Sequence, residues 1–339
     1  MIGRVVLFGL LCVWHVVAAP ADVEPIDTAS APALAFPVRC ELGVDCFIQN
    51  FVDRDPGPGW RDYACGALSY DGHLGTDIRV PSLFEMERGV EVLAAAPGVV
   101  AAVRDGEPDV SVGERGRESL RGRDAGNGVR ITHGNGWETQ YSHLKRGSVR
   151  VAPGQKVAAG DALGMIGLSG NTEFPHLDFV VRYRARSIDP FAPQPLAERE
   201  CPRGPTAQTL WRADQSQSLR YRPSGVLIAG FAAEKPVRDK AQQGEYRAPI
   251  DATAASLVFW VEAYGLRGGD VERLELKEPS GEVLASREQV VPGNYAVRFS
   301  YVGRKRRGDN WTAGAYVAEY SVKRAGEAVV HRQERLELR

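Results

Sequence analysis

Gly128-Val129-Arg130-Ile131-Thr132-His133-Gly134-Asn135-Gly136-Trp137-Glu138-Thr139-Gln140-Tyr141-Ser142-His143 reads as two short β-like runs, residues 128–132 and 138–143, divided by a glycine turn. The same rhythm extends outward. Residues 90–96 and 98–103 precede it, and residues 176–183 follow. With 37 glycines and 21 prolines in 339 residues, the chain is rich in turns, which points to an all-β protein. Residues 105–126 break the rhythm; charged and glycine-rich, they read as a long exposed loop between strands. Charged residues make up 25% and hydrophobic ones 43%, the normal globular range, which argues against disorder. Lys+Arg 42 against Asp+Glu 43 gives a net charge of -1, so no basic field calls for nucleic acid.

A second β-rich unit runs from about Ser224 to Arg339. Tyr316, Ala318, Tyr320 and Val322 alternate with Val317, Glu319, Ser321 and Lys323, the period of a half-buried strand. Further strand candidates are 257–261, 271–276 and 296–302, and Pro279-Ser280-Gly281 is a turn. About 115 residues of this kind suggest an immunoglobulin-like sandwich. Arg304-Lys305-Arg306-Arg307 reads as a solvated hairpin turn, and His331 as solvated. The expected organisation is a signal peptide over 1–21, a flexible leader over 22–38, a first β domain over 39–205, a linker over 206–223 and a second β domain over 224–339.

Arg4 precedes an apolar run, 5–11, that continues through Val13, Trp14, Val16 and Val17 to the small residues Ala18, Ala19 and Ala21. This is the layout of a secretory signal, with cleavage near Ala21, and implies a periplasmic or secreted protein. The run is short for a membrane span, and no other segment is long and apolar enough, so no transmembrane span is expected in the mature chain. Removing Cys12 leaves Cys40, Cys46, Cys65 and Cys201, an even number in an oxidising compartment. Three pairings are open. Cys40 and Cys46 are close enough to be joined across a turn, which leaves Cys65 with Cys201. A bridge over so long a loop is worth ~5 kcal/mol in the chain-entropy model. Four thiolates on zinc are the rival, but the C-x-x-C pairs of such sites are missing.

Five histidines survive signal cleavage, and His73, His133, His143 and His176 lie in the first unit. On a strand, His73 and Asp77 at i, i+4 share a face, as do His176 and Asp178 at i, i+2. His143 falls at a strand end. Singly, each histidine reads as a surface or hydrogen-bonded core residue. Together, histidines and carboxylates on facing strands make a zinc site.

The words around them resemble one family. Gly72-His73-Leu74-Gly75-Thr76-Asp77-Ile78 is similar to the first zinc motif of the lysostaphin-type, LytM-like peptidoglycan endopeptidases. Val92-Leu93-Ala94-Ala95-Ala96-Pro97-Gly98-Val99-Val100 continues the likeness. Gly126 to Gly136 resembles that family's glycine-bounded hairpin, and Tyr141-Ser142-His143-Leu144 its Tyr-x-His-Leu word. Gly154-Gln155-Lys156-Val157, Gly160, Gly164, Gly167 and Gly170-Asn171-Thr172 follow in register. Pro175-His176-Leu177-Asp178-Phe179 stands where the family has His-x-His. The likeness covers roughly residues 70–183. It implies an antiparallel β sandwich or half-barrel of the duplicated hybrid motif type, with the active groove across its strands.

By position, the resemblance implies His73 and Asp77 as zinc ligands, with His143 and His176 as the two non-ligand histidines that assist hydrolysis. Asp178 stands at the third ligand, a histidine in the family. Carboxylates are accepted zinc ligands, and an aspartate oxygen lies as far past Cβ as imidazole Nδ1. One His with two carboxylates leaves the Zn2+ site formally neutral instead of +1, and so less able to acidify water. His133 and Tyr141 read as structural. The resemblance therefore implies an exported zinc metalloendopeptidase that hydrolyses peptide cross-links of peptidoglycan, with peptidoglycan peptides as partners. The alternative is a catalytically impaired LytM-like module that binds the wall or regulates another hydrolase. The C-terminal domain would then act in placement or contact with a protein partner.

Overall fold

A computed structural model describes residues 26–194, 201–202, 204–215 and 218–339. The signal segment 1–21 and the cleavage point near Ala21 lie outside them, as do 22–25 of the leader. Among the described residues no helix is long and apolar enough to cross a membrane.

The first unit holds ten strands: β1 (Phe47–Asn50), β2 (Thr76–Arg79), β3 (Glu91–Leu93), β4 (Gly98–Arg104), β5 (Asn127–Gly134), β6 (Trp137–Leu144), β7 (Lys156–Val157), β8 (Ala162–Met165), β9 (His176–Tyr183) and β10 (Arg186–Ile188). One antiparallel sheet runs β1-β2-β9-β6-β5-β4-β7, with β10 added to β9, and β3 pairs with β8 apart from it. Period-two alternation decides its faces. On β9, Leu177, Phe179, Val181 and Tyr183 enter the core beside Val129 and Ile131 of β5 and Trp137 and Tyr141 of β6. His176 and Asp178 take the other face.

The second unit contains β11 (Gly225–Ala232), β12 (Ser256–Leu266), β13 (Val271–Lys277), β14 (Val283–Val290), β15 (Tyr295–Lys305), β16 (Gly314–Arg324) and β17 (Glu327–Leu338). Its sheets run β11-β12-β15 and β14-β13-β16-β17 and share one core, Phe259, Val261 and Ala263 facing Tyr316, Ala318, Tyr320 and Val322. The expected two-sheet sandwich is present. Its fourth strand lies in the sheet opposite to the one it joins in a constant-type immunoglobulin domain. The chain is nearly all β, and both disulfides pair as expected, Cys40 with Cys46 and Cys65 with Cys201.

Four segments differ from their reading. Residues 26–38 are packed, not loose: Leu34 and Val38 are buried, and Leu34 bridges to Trp211. The 206–223 linker likewise contributes Leu210, Trp211 and Leu219 to the first core. The 105–126 segment is pinned. It carries a short helix, α2 (Val112–Arg115), Glu107 holds both Arg115 and Arg123, and Asp109 accepts the backbone N–H groups of Arg146 and Leu168. Arg304 and Lys305 end strand β15 instead of forming a turn, and Arg306 donates to the carbonyl of Ala254.

The units share an interface. Phe47 packs on Tyr264, ring centroids 5.7 Å apart. Helix α3 (Arg238–Gln243) supplies Gln242, whose side chain accepts from the Leu83 N–H at the start of helix α1 (Leu83–Arg88) and donates to Glu262. Arg247 pairs with Glu85 and lies over the Phe84 ring.

Candidate metal centre

Strand register lays a row of polar side chains across four strands. Asn50 pairs with Asp77, Asp77 with Asp178, and Asp178 with Ser142. Neighbours in such a row stand ~4.5–5.5 Å apart at Cβ on one face. His73 reaches the row differently from its sequence reading. β2 begins only at Thr76, so His73 sits in the turn before it, with Gly72 in the left-handed region at φ +74°. The His73 N–H donates to the Tyr70 carbonyl and its own carbonyl accepts from the Asp53 N–H. Tyr70 packs against the ring, centroids 4.3 Å apart.

These constraints bring His73, Asp77 and Asp178 together, their ligand atoms within 4.8 Å of one another. His73 Nε2 lies 3.4 Å from Asp77 Oδ1. Gly75 makes the approach feasible: a Cβ there would stand 1.9 Å from Asp178 Oδ1. His73 Nε2, Asp77 Oδ1 and Asp178 Oδ1 are all buried without a hydrogen-bond partner. One such atom costs roughly 1–3 kcal/mol. Three converging on one point fit a cation, which needs those lone pairs free.

Electrostatics agree. Burial disfavours the charged His73 ring and lowers its pKa, leaving the imidazole neutral with a free lone pair. Burial alone would raise Asp77, but His176, His73 and the Asn50 amide, 2.8 Å away, hold its carboxyl well below the usual range. Burial and then the Asp77 charge push Asp178 up to about 7. Two adjacent carboxylates in such a place are stable together when a cation joins them.

His143 and His176 flank the cluster, ring centroids 4.7 Å apart. His143 Nδ1 lies 2.7 Å from the Ser169 carbonyl, so that nitrogen carries the proton and Nε2 is bare. Burial and then His176 drive its pKa down to about 3. The residue adopts φ +64°, sparse territory for a non-glycine, and turns its side chain into the site at the strand end. His176 Nδ1 donates to the Phe174 carbonyl at 2.9 Å, and Nε2 lies 3.3 Å from Asp77 Oδ1. Burial pulls His176 down, but the Asp77 carboxylate outweighs it and the pKa is raised.

The other two candidates are structural. His133 Nδ1 donates to the Pro97 carbonyl and Nε2 meets the Thr139 hydroxyl, tying β5 and β6 to the chain before β4. Tyr141 is buried and its hydroxyl accepts from the Ala95 N–H. Asn50, Ser169 and Phe174 escaped the sequence reading. No motif marks them, and they arrive through pairing and turns. A groove of about 250 Å³ runs from Ser142 across Gln140, Gly128, Arg130 and Arg104.

Residues 71–190 match the sequence profile of peptidase family M23. The chain is 28% identical over 157 residues to the peptidoglycan DD-endopeptidase ShyA of Vibrio cholerae, covering 46% of this chain and 31% of that protein. It is 30% identical over 179 residues to the cell division protein DipM of Caulobacter vibrioides, covering 51% of this chain and 22% of that protein. It therefore spans less than a third of these relatives' lengths. Among solved structures it is similar to a zinc-containing peptidase from Vibrio cholerae (25% identity, TM-score 0.28, 42% of this chain and 39% of that one). It is also similar to the catalytic domain of the M23 protein EnpA from Enterococcus faecalis (22% identity, TM-score 0.31, 48% and 97%).

Proposed function

We propose that this chain, in which residues 71–190 form a domain of peptidase family M23, is an exported zinc metalloendopeptidase that hydrolyses peptide cross-links of peptidoglycan. The observation that carries the reading is the convergence of three orphaned buried atoms, His73 Nε2, Asp77 Oδ1 and Asp178 Oδ1. These three residues would hold Zn2+, which when bound supplies Lewis acidity toward a peptide carbonyl and acidifies water.

The remaining work falls to the chain. His143, its Nδ1 proton held by the Ser169 carbonyl, presents a bare Nε2 and is the proton acceptor. His176, its Nδ1 held by the Phe174 carbonyl and its Nε2 directed into the cluster, is the proton donor toward the leaving amine. The carbonyls of Ser169 and Phe174 fix both tautomers, so neither ring turns away from the reacting atoms. The peptide lies along the open face of the sheet, where Arg130 and Gln140 line its path.

Two disulfides and the N-terminal signal pattern support export to an oxidising compartment, periplasmic or secreted. One observation favours the rival reading, a module that binds the wall or regulates another hydrolase. Asp178 replaces a histidine, and the neutral site it makes is a weaker activator of water. Metal analysis of the purified mature protein together with hydrolysis of cross-linked muropeptides decides between them. Near-stoichiometric zinc with cleavage supports the enzyme; no metal and no cleavage supports the module.

A further inference from the structure

A second cavity begins beside the cluster. Between the catalytic sheet and the sandwich lies a cleft of about 220 Å³. Gln49, Asn50 and Trp60 line it from the first unit, and Arg267, Asn294 and Tyr295 from the second. Asn50 belongs to both places, since it lines the cleft and donates its amide N–H to Asp77 Oδ2. An occupant of the cleft therefore sits one side chain from the cluster.

The lining has a definite chemistry. Trp60 lines the cleft and is 51% exposed, a large apolar side chain half open to solvent. Tyr295 also lines the cleft, one face of its ring lying under the Arg298 guanidinium at 4.9 Å. Gln49, Asn50, Asn294 and Arg267 add polar groups to a lining that also holds Leu68, Pro223 and Leu266, and among the described residues no carboxylate lines it. A pyranose ring answers this pattern. Its axial C–H faces cover an aromatic ring, and its hydroxyl and acetamido edge pairs with planar amides and guanidinium donors. An ammonium group would find no acidic partner among the cleft's described residues.

We propose that this cleft binds the N-acetylhexosamine strand of the wall polymer, so that the C-terminal sandwich forms one wall of the substrate site. The identity of the polymer rests on the hydrolase reading; the sugar chemistry rests on the cleft. Binding would hold the glycan beside the cluster while the attached peptide crosses the sheet, which accounts for a sandwich docked against α1 and β1 instead of tethered loosely.

The test uses the full chain and peptide-free N-acetylhexosamine strands, titrated by calorimetry and by tryptophan fluorescence. The expected result is saturable binding that quenches tryptophan emission, weakened at least tenfold in Trp60→Ala and in Tyr295→Ala and largely recovered in Trp60→Phe. Zinc content should stay at the wild-type level in all three. Absence of binding to the strands overturns the proposal. So does equal binding by Trp60→Ala, or capture of the free stem peptide at this cleft in place of the strand. Because the titration reads sugar binding without turnover, its failure leaves peptide cleavage, measured separately, as the judge of the hydrolase reading.

Discussion

The sandwich and the cluster of the first unit both bury charge, and they treat it in opposite ways. In the sandwich, Glu272 is fully buried and completely satisfied: its carboxylate accepts from Gln289, Arg298 and the Tyr320 hydroxyl. Glu262 accepts from Arg238 and Gln242, and Asp270 from Arg324 through two nitrogens. In the sheet of the first unit, His73 and Asp77 are buried and Asp178 is half-buried, yet one buried atom of each has no hydrogen-bond partner. A buried charge with its partners complete holds a fold together. Buried charges whose missing partners share one point mark a place for something that arrives later.

The sharpest way to break this contrast is to remove a ligand. Asp178→Ala and His73→Ala should each abolish stable metal binding, since each takes one of three protein ligands. Asp178→His should keep the metal and move the activity profile to lower pH, because the more positive centre acidifies water more. Full zinc in Asp178→Ala would remove that residue from the ligand set and leave its orphaned oxygen unexplained.

His143→Ala should retain metal while turnover falls ~10²–10⁴-fold, the usual worth of a positioned acid–base group. Loss of metal in that variant would make His143 a ligand and redraw the cluster.

On the sandwich side, Glu272→Ala strands the Arg298 guanidinium and should cost about 3–5 kcal/mol in urea unfolding. The folded variant should still bind metal at the wild-type ratio. A negligible cost would show that the sandwich does not depend on this network for its folding.

The smallest effect concerns protons. In the metal-free protein Asp178 titrates near pH 7, above its unfolded value of 3.8. The raised pKa means that this group's contribution to stability is complete below about pH 4 and is lost as pH rises through about 7. Metal competes with that same proton, so zinc affinity should fall by about tenfold per pH unit below 7. Calorimetry in buffers of different ionisation enthalpy should detect the proton released at pH 6. An affinity flat between pH 5 and 7 would show that Asp178 does not take part.

Much of this was legible because it is local. Residues 176–183 coincide with β9, since Leu177, Phe179, Val181 and Tyr183 state their own period. The alternation from Tyr316 to Val322 predicts the buried face of β16 for the same reason. Residues 26–38 were misread because their alanines and prolines look loose, while Leu34 is fixed by Trp211, far along the chain. The charges of 105–126 look solvated until the fold brings Arg115 and Arg123 onto Glu107. In the cluster, sequence words marked His73, Asp77, His143, His176 and Asp178. Asn50 carried no word, because only the pairing of β1 with β2 makes it a neighbour of Asp77. For His73 the spacing led to the right neighbour by the wrong route, a turn in place of a strand.

Arg79, two residues beyond Asp77 on the same strand, is 1% exposed. Its guanidinium stacks on Phe174, whose carbonyl holds His176, and the Glu262 carboxylate of the sandwich balances its charge. Ribosomes deliver the N-terminal end first, so Glu262 emerges long after Arg79 has been made. The strand that carries Asp77 is thus synthesised well before the sandwich whose Glu262 faces Arg79. A buried cation of the first unit thus depends on a carboxylate of the second, so removing the sandwich would leave Arg79 without that counter-charge.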